Sequence, residues 1–149
     1  MLPLGALCQN KDEKIWTRFT QSEQRTMMTL WPMMRSPLMI GGEMTKNDNF
    51  TNSLLMNADV LNIGKESFCG HPLWTTESES VWVAPRKDGQ GVYVALFNLS
   101  DEELTVSVCR EQAEIGMQAT ELWSGKAVSA PNGLSAALAP HDAVVYLVK

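Results

Sequence analysis

The chain has 149 residues, of which 44% are hydrophobic and 19% are charged, so its composition is that of a folded globular protein rather than a disordered one. Its sequence has no apolar run near the roughly 18 residues that a membrane-spanning helix needs, which argues against a membrane protein. The net charge of −5 arises in residues 67–149, where ten acidic side chains face five basic ones, and this balance argues against nucleic-acid binding.

The cysteines and the N-terminus indicate whether a disulfide framework, a metal site or a signal peptide is expected. Cys8, Cys69 and Cys109 are far apart and lack a CxxC spacing, so neither a disulfide framework nor a metal site is predicted. We expect reduced, mostly buried thiols instead. The N-terminal residues show no basic segment followed by an apolar stretch, so they do not predict a signal peptide, and the sequence indicates no compartment.

The first half of the chain predicts a helix, a short strand and further helices. Thr20 and Glu23 have the spacing of a capping box, in which each side chain binds the free amide of the other residue. The apolar face of the following helix has i, i+3, i+4 and i+7 spacing and consists of Met27, Leu30, Trp31 and Met34. Pro32 is expected to kink this helix, and Pro37 is expected to end it.

Beyond this helix, the sequence predicts a buried strand and a second helical region. The apolar run Leu38–Ile40, followed by Gly41-Gly42, is typical of a strand buried on both faces, as in a parallel sheet. A helix is then expected to begin with Asn47 or Asp48 as its N-cap. Its apolar side contains Phe50, Leu54 and Leu55. After a break near Asn57, another helical turn or two would contain Val60, Leu61 and Ile63.

The second half of the chain has the pattern of antiparallel β-structure. Val81–Val83 and Val92–Phe97 flank a hairpin-like turn from Pro85 to Gly91. Further strands are predicted at Leu104–Val108, Glu121–Trp123, Leu134–Leu138 and Ala143–Val148. Roughly six or seven short strands separated by turns are typical of a β-sandwich. The change of pattern predicts two structural units, residues 1–66 and residues 67–149.

An ordered series of motifs resembles family 27 of the glycoside hydrolases, the α-galactosidase (melibiase) family. TMMTLWPMMRSPLMIGGEM, from Thr26 to Met44, and SLLMNADVL, from Ser53 to Leu61, resemble the end of the family's catalytic barrel. Met1–Gly5 resembles the residues that follow an Asp-Pro-Asp motif at the end of the seventh barrel strand. The segments that resemble the family's C-terminal β-sandwich are Val81–Val83, Val94–Leu99, Glu121–Lys126 and Pro140–Val144.

The resemblance implies a fold of two parts. Residues 1–66 would be the last part of a (β/α)8 TIM barrel, comprising the end of strand seven, helix seven, strand eight and helix eight. Residues 67–149 would be the C-terminal antiparallel β-sandwich. Gly64–Glu66 stands where many members have Asn-Gln-Asp, and Glu43 stands where many have Asp. These departures leave open whether galactose, N-acetylgalactosamine or a related sugar is preferred.

The resemblance also implies retaining hydrolysis of terminal α-galactosides without a cofactor or a metal. The two catalytic aspartates of the family lie at the ends of the fourth and sixth barrel strands, and both positions would be upstream of Met1. We therefore expect no catalytic residue in this chain and no activity from it alone. Met1 matches a family position that lines the sugar pocket. Glu43 is expected at the rim of the active site, where a loop-bracing role is favoured over a catalytic one.

Two other classes of function remain open on the sequence. The β-sandwich could be a non-catalytic carbohydrate-binding or interaction module that uses Trp74, Trp82 and Trp123, although packing is the favoured role of each. Alternatively, exposed barrel surfaces could drive self-association. His71 and His141 are expected to make structural hydrogen bonds rather than to take part in catalysis.

Overall fold

A computed structural model describes residues 1–10 and 13–149. It does not describe the side chains of residues 8–10, 13 and 14, so the prediction for the Cys8 thiol lies outside the described residues. The helices are α1 (Gln21–Met33), α2 (Asn49–Leu55), α3 (Ala58–Glu66) and α4 (Arg110–Ala113), with a 3-10 turn at Met44–Lys46. The strands are β1 (Ala6–Asn10), β2 (Glu13–Trp16), β3 (His71–Thr75), β4 (Glu79–Pro85), β5 (Val92–Asn98), β6 (Leu104–Cys109), β7 (Gln118–Glu121), β8 (Lys126–Ser129), β9 (Gly133–Leu138) and β10 (Ala143–Val148).

The predicted start of α1 is confirmed, whereas its predicted end is wrong. The Glu23 amide donates to Thr20 Oγ1 over 3.2 Å, and the Thr20 amide donates to Glu23 Oε2 over 2.7 Å, which completes a capping box. The helix ends at Met33, before Pro37, because Arg35 adopts a φ of 54°. This left-handed residue closes a Schellman motif, in which the Ser36 amide reaches the Trp31 carbonyl.

The buried face of α1 agrees only in part with the predicted one: Met27, Leu30 and Trp31 are partly buried against apolar clusters. Met28 and Met33 are fully buried, whereas Met34, which was placed on the buried face, is 40% exposed. The helix lies between two apolar clusters, so more than one of its faces is covered. The N-terminal cluster comprises Leu2, Leu4, Met28 and Leu54. The helix–sheet cluster comprises Met33, Val60, Ile63, Ala84, Tyr93, Ala95, Phe97, Leu122, Ala143 and Val145.

The strand predicted at Leu38–Ile40 is reduced to one parallel bridge between Leu2 and Ile40. The Leu2 amide donates to the Met39 carbonyl over 2.6 Å, and the Gly41 amide donates to the Leu2 carbonyl over 3.0 Å. Met39 is 61% exposed, so the prediction of burial on both faces is wrong. Within the described ranges Ile40 pairs on one side only, so the other edge of this segment is unpaired.

The second helical region agrees with the sequence patterns. Asp48 is the N-cap of α2 and accepts a hydrogen bond from the Thr51 amide over 2.7 Å. After a break at Met56 and Asn57, the Asn57 side chain accepts from the Val60 amide over 3.0 Å and begins α3. Side-chain acceptors satisfy free amides at both helix starts, which explains the break between the two helices.

The predicted β-sandwich is confirmed as the main feature of the second half. An antiparallel sheet has the strand order β3-β4-β5-β10-β7-β8, and β6 pairs with β9 over one of its faces. The sandwich cluster between these layers includes Val81, Val94, Leu96, Val106, Val108, Leu134 and Val148. The opposite face of the large sheet packs on α1 and α3 through the helix–sheet cluster. β5 is therefore buried on both faces.

Several strands were not predicted. β1 and β2 form a hairpin near the N-terminus. β3 and β8 are the edges of the large sheet. Pro72 lies in β3, where a missing amide donor is tolerated because the strand is at an edge, and β8 is exposed along its whole length. Neither edge strand shows the alternating burial on which the sequence prediction depended.

The cysteines with described side chains contradict the expectation of burial. Cys69 and Cys109 are both free and exposed. Cys69 has a φ of 48° in the turn before β3, and Cys109 ends β6 as the N-cap of α4. Among the described helices, none combines the length and the apolar character required to cross a bilayer.

Candidate functional site

The parallel bridge between Leu2 and Ile40 positions the predicted site residues. Both of these side chains pack on the N-terminal cluster beneath α1 and α2. Met1 lies on the other side and is 89% exposed. A Cβ atom added to Gly41 would lie 3.0 Å from the Cβ atom of Met1, so Met1 and Gly41 share this uncovered side. One side of the bridge thus packs on helices, and the other side forms an open surface.

Glu43 lies in the loop that follows this bridge. Its amide donates to the Ala6 carbonyl over 2.7 Å, and its carboxylate accepts from Thr45 Oγ1 over 2.5 Å. The hydroxyl of Thr45 lowers the pKa of Glu43 below its usual value. A general acid at neutral pH needs a raised pKa, so this geometry suits a hydrogen-bond acceptor and a loop brace.

Buried polar side chains hold the loop opposite Glu43 in place. The Gly5 amide donates to Gln24 Oε1 over 3.3 Å, and the Ala6 amide donates to Asn47 Oδ1 over 2.9 Å. Gln24 is 3% exposed and also accepts from Thr51 Oγ1 over 3.4 Å. These contacts join α1, α2 and the N-terminal loop. Sequence reasoning missed the bracing role of Gln24 and Asn47, because polar residues give no periodic signal of burial.

The remaining polar candidates have structural contacts. His141 Nε2 lies 2.8 Å from Asp101 Oδ1, and His71 Nδ1 lies 2.7 Å from the Cys69 carbonyl oxygen. The prediction of structural hydrogen bonds is confirmed for both histidines. Among the described residues, no three His, Cys, Asp or Glu side chains form a group that could hold a metal ion.

The tryptophan side chains considered for carbohydrate stacking are partly buried by packing. Trp82 packs on the helix–sheet cluster, and Trp74 packs on the sandwich cluster. Trp123 contacts both the helix–sheet and the N-terminal clusters, and its Nε1 donates to Thr29 Oγ1 over 3.1 Å. The packing interpretation is therefore confirmed, and Trp123 links α1 to the turn after β7.

Comparisons with known proteins agree with this architecture. Residues 76–148 match the family described as the alpha galactosidase C-terminal beta sandwich domain. The crystal structure of a family 27 β-L-arabinopyranosidase from Geobacillus stearothermophilus superposes with a TM-score of 0.90 at 34% identity, covering 99% of this chain and 35% of that one. Two α-galactosidases, from Cyamopsis tetragonoloba and Coffea arabica, are each 28% identical over 138 residues.

These plant enzymes match 87% of this chain, and the match covers 33% and 36% of their own lengths. The chain thus spans about a third of the relatives it resembles. The matched residues contain every strand from β4 to β10, that is, the β6–β9 pair and the large sheet except its edge strand β3. The chain therefore corresponds to the C-terminal portion of the family 27 glycoside hydrolases, and residues 76–148 form their C-terminal β-sandwich domain.

Proposed function

We propose that this chain is the C-terminal part of a retaining glycosidase that hydrolyses terminal α-galactosides. In this proposal residues 1–66 complete a (β/α)8 barrel, and residues 67–149 form the sandwich that packs beside it. The parallel bridge between Leu2 and Ile40 is the observation that carries the proposal. All-parallel sheets occur almost only in α/β folds, and here α1 lies between the two bridged segments in the chain, as in a β-α-β unit.

The proposed role of this chain in the reaction is to bind and orient the sugar rather than to break the bond. Retaining glycosidases use two carboxyl groups about 5–5.5 Å apart, one as the nucleophile and one as the acid and then the base. The resemblance assigns both to aspartates upstream of Met1. Met1 would line the sugar pocket, and ionised Glu43 would stand at its rim. A carboxylate with a lowered pKa can accept a hydrogen bond from a sugar hydroxyl without protonating it.

A β-L-arabinopyranoside is the second candidate substrate. The structural relative with 34% identity is a β-L-arabinopyranosidase, whereas the plant relatives at 28% identity are α-galactosidases. The two sugars share the same ring configuration and differ by the exocyclic hydroxymethyl group of galactose. A pocket that selects between them therefore needs only to admit or exclude that group.

A chimaera tests the proposal directly. Residues 1–149 would replace the matching C-terminal third of the Geobacillus enzyme, and the product would be assayed with nitrophenyl α-D-galactopyranoside and nitrophenyl β-L-arabinopyranoside. We expect turnover by the chimaera and no turnover by the isolated chain above a heat-killed control. A well-folded chimaera that hydrolyses neither substrate, or an isolated chain that hydrolyses either, would refute the proposal.

The role of Glu43 is tested in the same chimaera. Glu43→Gln keeps the shape of the side chain but weakens its acceptor strength, so we expect KM to rise several-fold while kcat changes less. Glu77→Gln, at an exposed acidic residue between β3 and β4, is the matched control and is expected to behave as the parent. Equal KM and kcat values for the two variants would show that Glu43 does not contribute to sugar binding.

Self-association of the isolated chain is a further part of the proposal. Met1, Met39 and Met44 are 89%, 61% and 61% exposed, and exposed apolar side chains favour association. Met39→Lys is expected to lower the apparent mass in light scattering coupled to gel filtration. A parent chain that is already monomeric at high concentration would count against self-association through this surface.

A further inference from the structure

A recess lies between α3 and the large sheet. Its volume is about 230 Å³, and it is lined by Asp59, Asn62, Glu66, Arg86, Tyr93, Leu122 and Leu147. The site residues considered above, Met1, Gly41 and Glu43, do not line it. The recess is small, and most of its lining side chains are polar, which suits a small hydrophilic ligand.

The polar wall of the recess follows from the geometry of α3. Asp59, Asn62 and Glu66 are separated by three and four residues, and this spacing places side chains on one face of a helix. The adjacent buried positions of α3, Val60 and Ile63, are fully buried in the helix–sheet cluster. Burial of the apolar residues therefore fixes the rotation of the helix that directs the polar face into the recess.

Glu66, at the end of α3, joins two residues on the sheet side of the recess in a closed network. Tyr93 is 2% exposed, and its hydroxyl donates to Glu66 Oε2 over 3.0 Å and accepts from Arg86 Nη1 over 3.1 Å. Arg86 Nη1 also lies 2.7 Å from Glu66 Oε2, and its Nη2 lies 2.6 Å from Asp88 Oδ2. Burial raises the pKa of Tyr93 to about 12, so the hydroxyl keeps its proton at neutral pH.

The helix side, by contrast, has hydrogen-bonding capacity that the protein does not use. The side chains of Asp59 and Asn62 make no hydrogen bond or ion pair with any residue in the described ranges. A carboxylate supplies acceptors, and an amide supplies both a donor and an acceptor. Asp59 and Asn62 lie across the recess from Arg86 and Tyr93. A ligand in the recess could therefore bind fixed polar groups on the sheet side and unpaired polar groups on the helix side.

The charges of the recess select the class of ligand. Asp59 and Glu66 would repel an anion such as phosphate, and the guanidinium of Arg86 would repel a cation. Hydroxyl groups both donate and accept, so they match carboxylate, amide and phenol groups together. We propose that the recess beside Asn62 binds a neutral polyhydroxylated ligand of monosaccharide size, as a second carbohydrate site apart from the proposed rim at Met1 and Glu43.

A larger cleft of about 510 Å³ between α2 and the sandwich lacks this combination. Its Arg25 and Asp142 are paired with each other over 2.6 Å. Its Glu121 accepts hydrogen bonds from the amides of Trp123 and Ser124. The charged groups of this cleft therefore have partners within the protein, and we expect no sugar binding there.

The proposal is tested by titrating the isotope-labelled chain with galactose, arabinose and mannose while its amide NMR signals are recorded. We expect saturable shifts confined to residues 59–66, 86 and 93, with a Kd on the order of 1 mM for at least one sugar. Sodium phosphate and calcium chloride, used as anion and cation probes, should give no saturable shift at these residues.

Asn62→Ala is expected to weaken sugar binding at least about fivefold, because it removes a donor and an acceptor. Alanine favours helix more than asparagine, so α3 should remain folded. Asn132→Ala, in the exposed turn before β9, is the matched control and should leave the Kd unchanged. Asp59→Asn, which keeps the side-chain size, provides a second variant that should also weaken binding.

Three results would overturn the proposal. The first is the absence of saturable shifts at the recess with all three sugars. The second is equal affinity of the parent and the Asn62→Ala and Asp59→Asn variants. The third is binding of phosphate or calcium at these residues in preference to sugar. The titration does not require hydrolysis, so its outcome is independent of the test of the proposed function.

Discussion

Arg25 of α1 and Asp142, the residue before β10, form an ion pair with 2.6 Å between Nη1 and Oδ2. The Asp142 side chain is 11% exposed and the Arg25 side chain is 31% exposed, so the carboxylate is the more shielded partner. Next to it, Thr26 Oγ1 donates to the His141 carbonyl over 2.7 Å. These two contacts join the first helix of the chain to the loop that leads into the central region of the sheet.

Removal of this ion pair should destabilise the protein. Asp142→Ala leaves the Arg25 guanidinium without its partner and the Ala143 amide without its side-chain acceptor, so we expect a loss of roughly 2 kcal/mol in the free energy of unfolding. Urea denaturation followed by circular dichroism measures this loss. Glu77→Gln is the control, and a change within about 0.5 kcal/mol is expected for it. An equal effect of both variants would mean that the pair contributes little.

Two adjacent methionines should respond differently to truncation. Met33 is fully buried in the helix–sheet cluster, so Met33→Ala should cost about 2–5 kcal/mol through lost burial and the cavity left behind. Met34 is 40% exposed, and Met34→Ala should change stability by less than about 0.5 kcal/mol. The same denaturation experiment compares them. A larger effect at Met34 would favour the helix face predicted from sequence over the one in the structure.

Two glycines with positive φ separate the effect of a clash from that of backbone strain. A Cβ atom on Gly5 (φ 62°) would lie 2.2 Å from Asn47 Oδ1, whereas one on Gly89 (φ 71°) would meet no atom within 4 Å. Gly89→Ala should therefore cost only the roughly 1 kcal/mol of a left-handed alanine. Gly5→Ala should cost clearly more, because it also displaces the Asn47 side chain that binds the Ala6 amide.

Thermal melts of both glycine variants provide the measurement. We expect the parent to have the highest melting temperature, Gly89→Ala a lower one, and Gly5→Ala the lowest. A melting temperature of Gly5→Ala equal to or above that of Gly89→Ala would contradict the close contact between Asn47 and the N-terminal loop.

Acid should weaken the protein partly through Asp88. Hydrogen bonds from Arg86 lower the pKa of Asp88 from 3.8 to about 2. A group whose pKa is lower in the folded state stabilises the fold above its unfolded pKa, and this contribution is lost as the pH falls through the folded value. The contribution of Asp88 should therefore be complete above pH 3.8 and should disappear towards pH 2.

Asp88→Asn tests this pH dependence. The variant should show a shallower decline of the free energy of unfolding below pH 3.8 than the parent, and the two curves should converge near pH 2. Because Asp88 is 41% exposed, high salt should reduce the difference between them. Parallel curves for parent and variant across this range would show that the Asp88 pKa is not lowered by folding.

Features that depend on near neighbours in the chain could be predicted from the sequence. The capping box of Thr20 and Glu23 involves partners three residues apart, and the N-cap of α2 was predicted as Asn47 or Asp48, of which the structure shows Asp48. The strands β4, β5, β6, β9 and β10 were also visible, because alternating or continuous burial leaves a periodic pattern. The motifs that resemble family 27 indicated which family the β-sandwich belongs to, and periodicity alone does not give this information.

The folded structure was needed to show which surfaces are covered and which distant residues meet. It buries Met33 rather than Met34, pairs Leu2 with Ile40 in parallel, and exposes Met39 on the uncovered side. It also brings Asn62 of α3 to the same recess as Tyr93 of β5. A periodic pattern shows that one face is apolar, but burial and hydrogen bonding depend on the partner that packs there. That partner is set by long-range folding, in which segments separated in sequence compete for the same apolar surface.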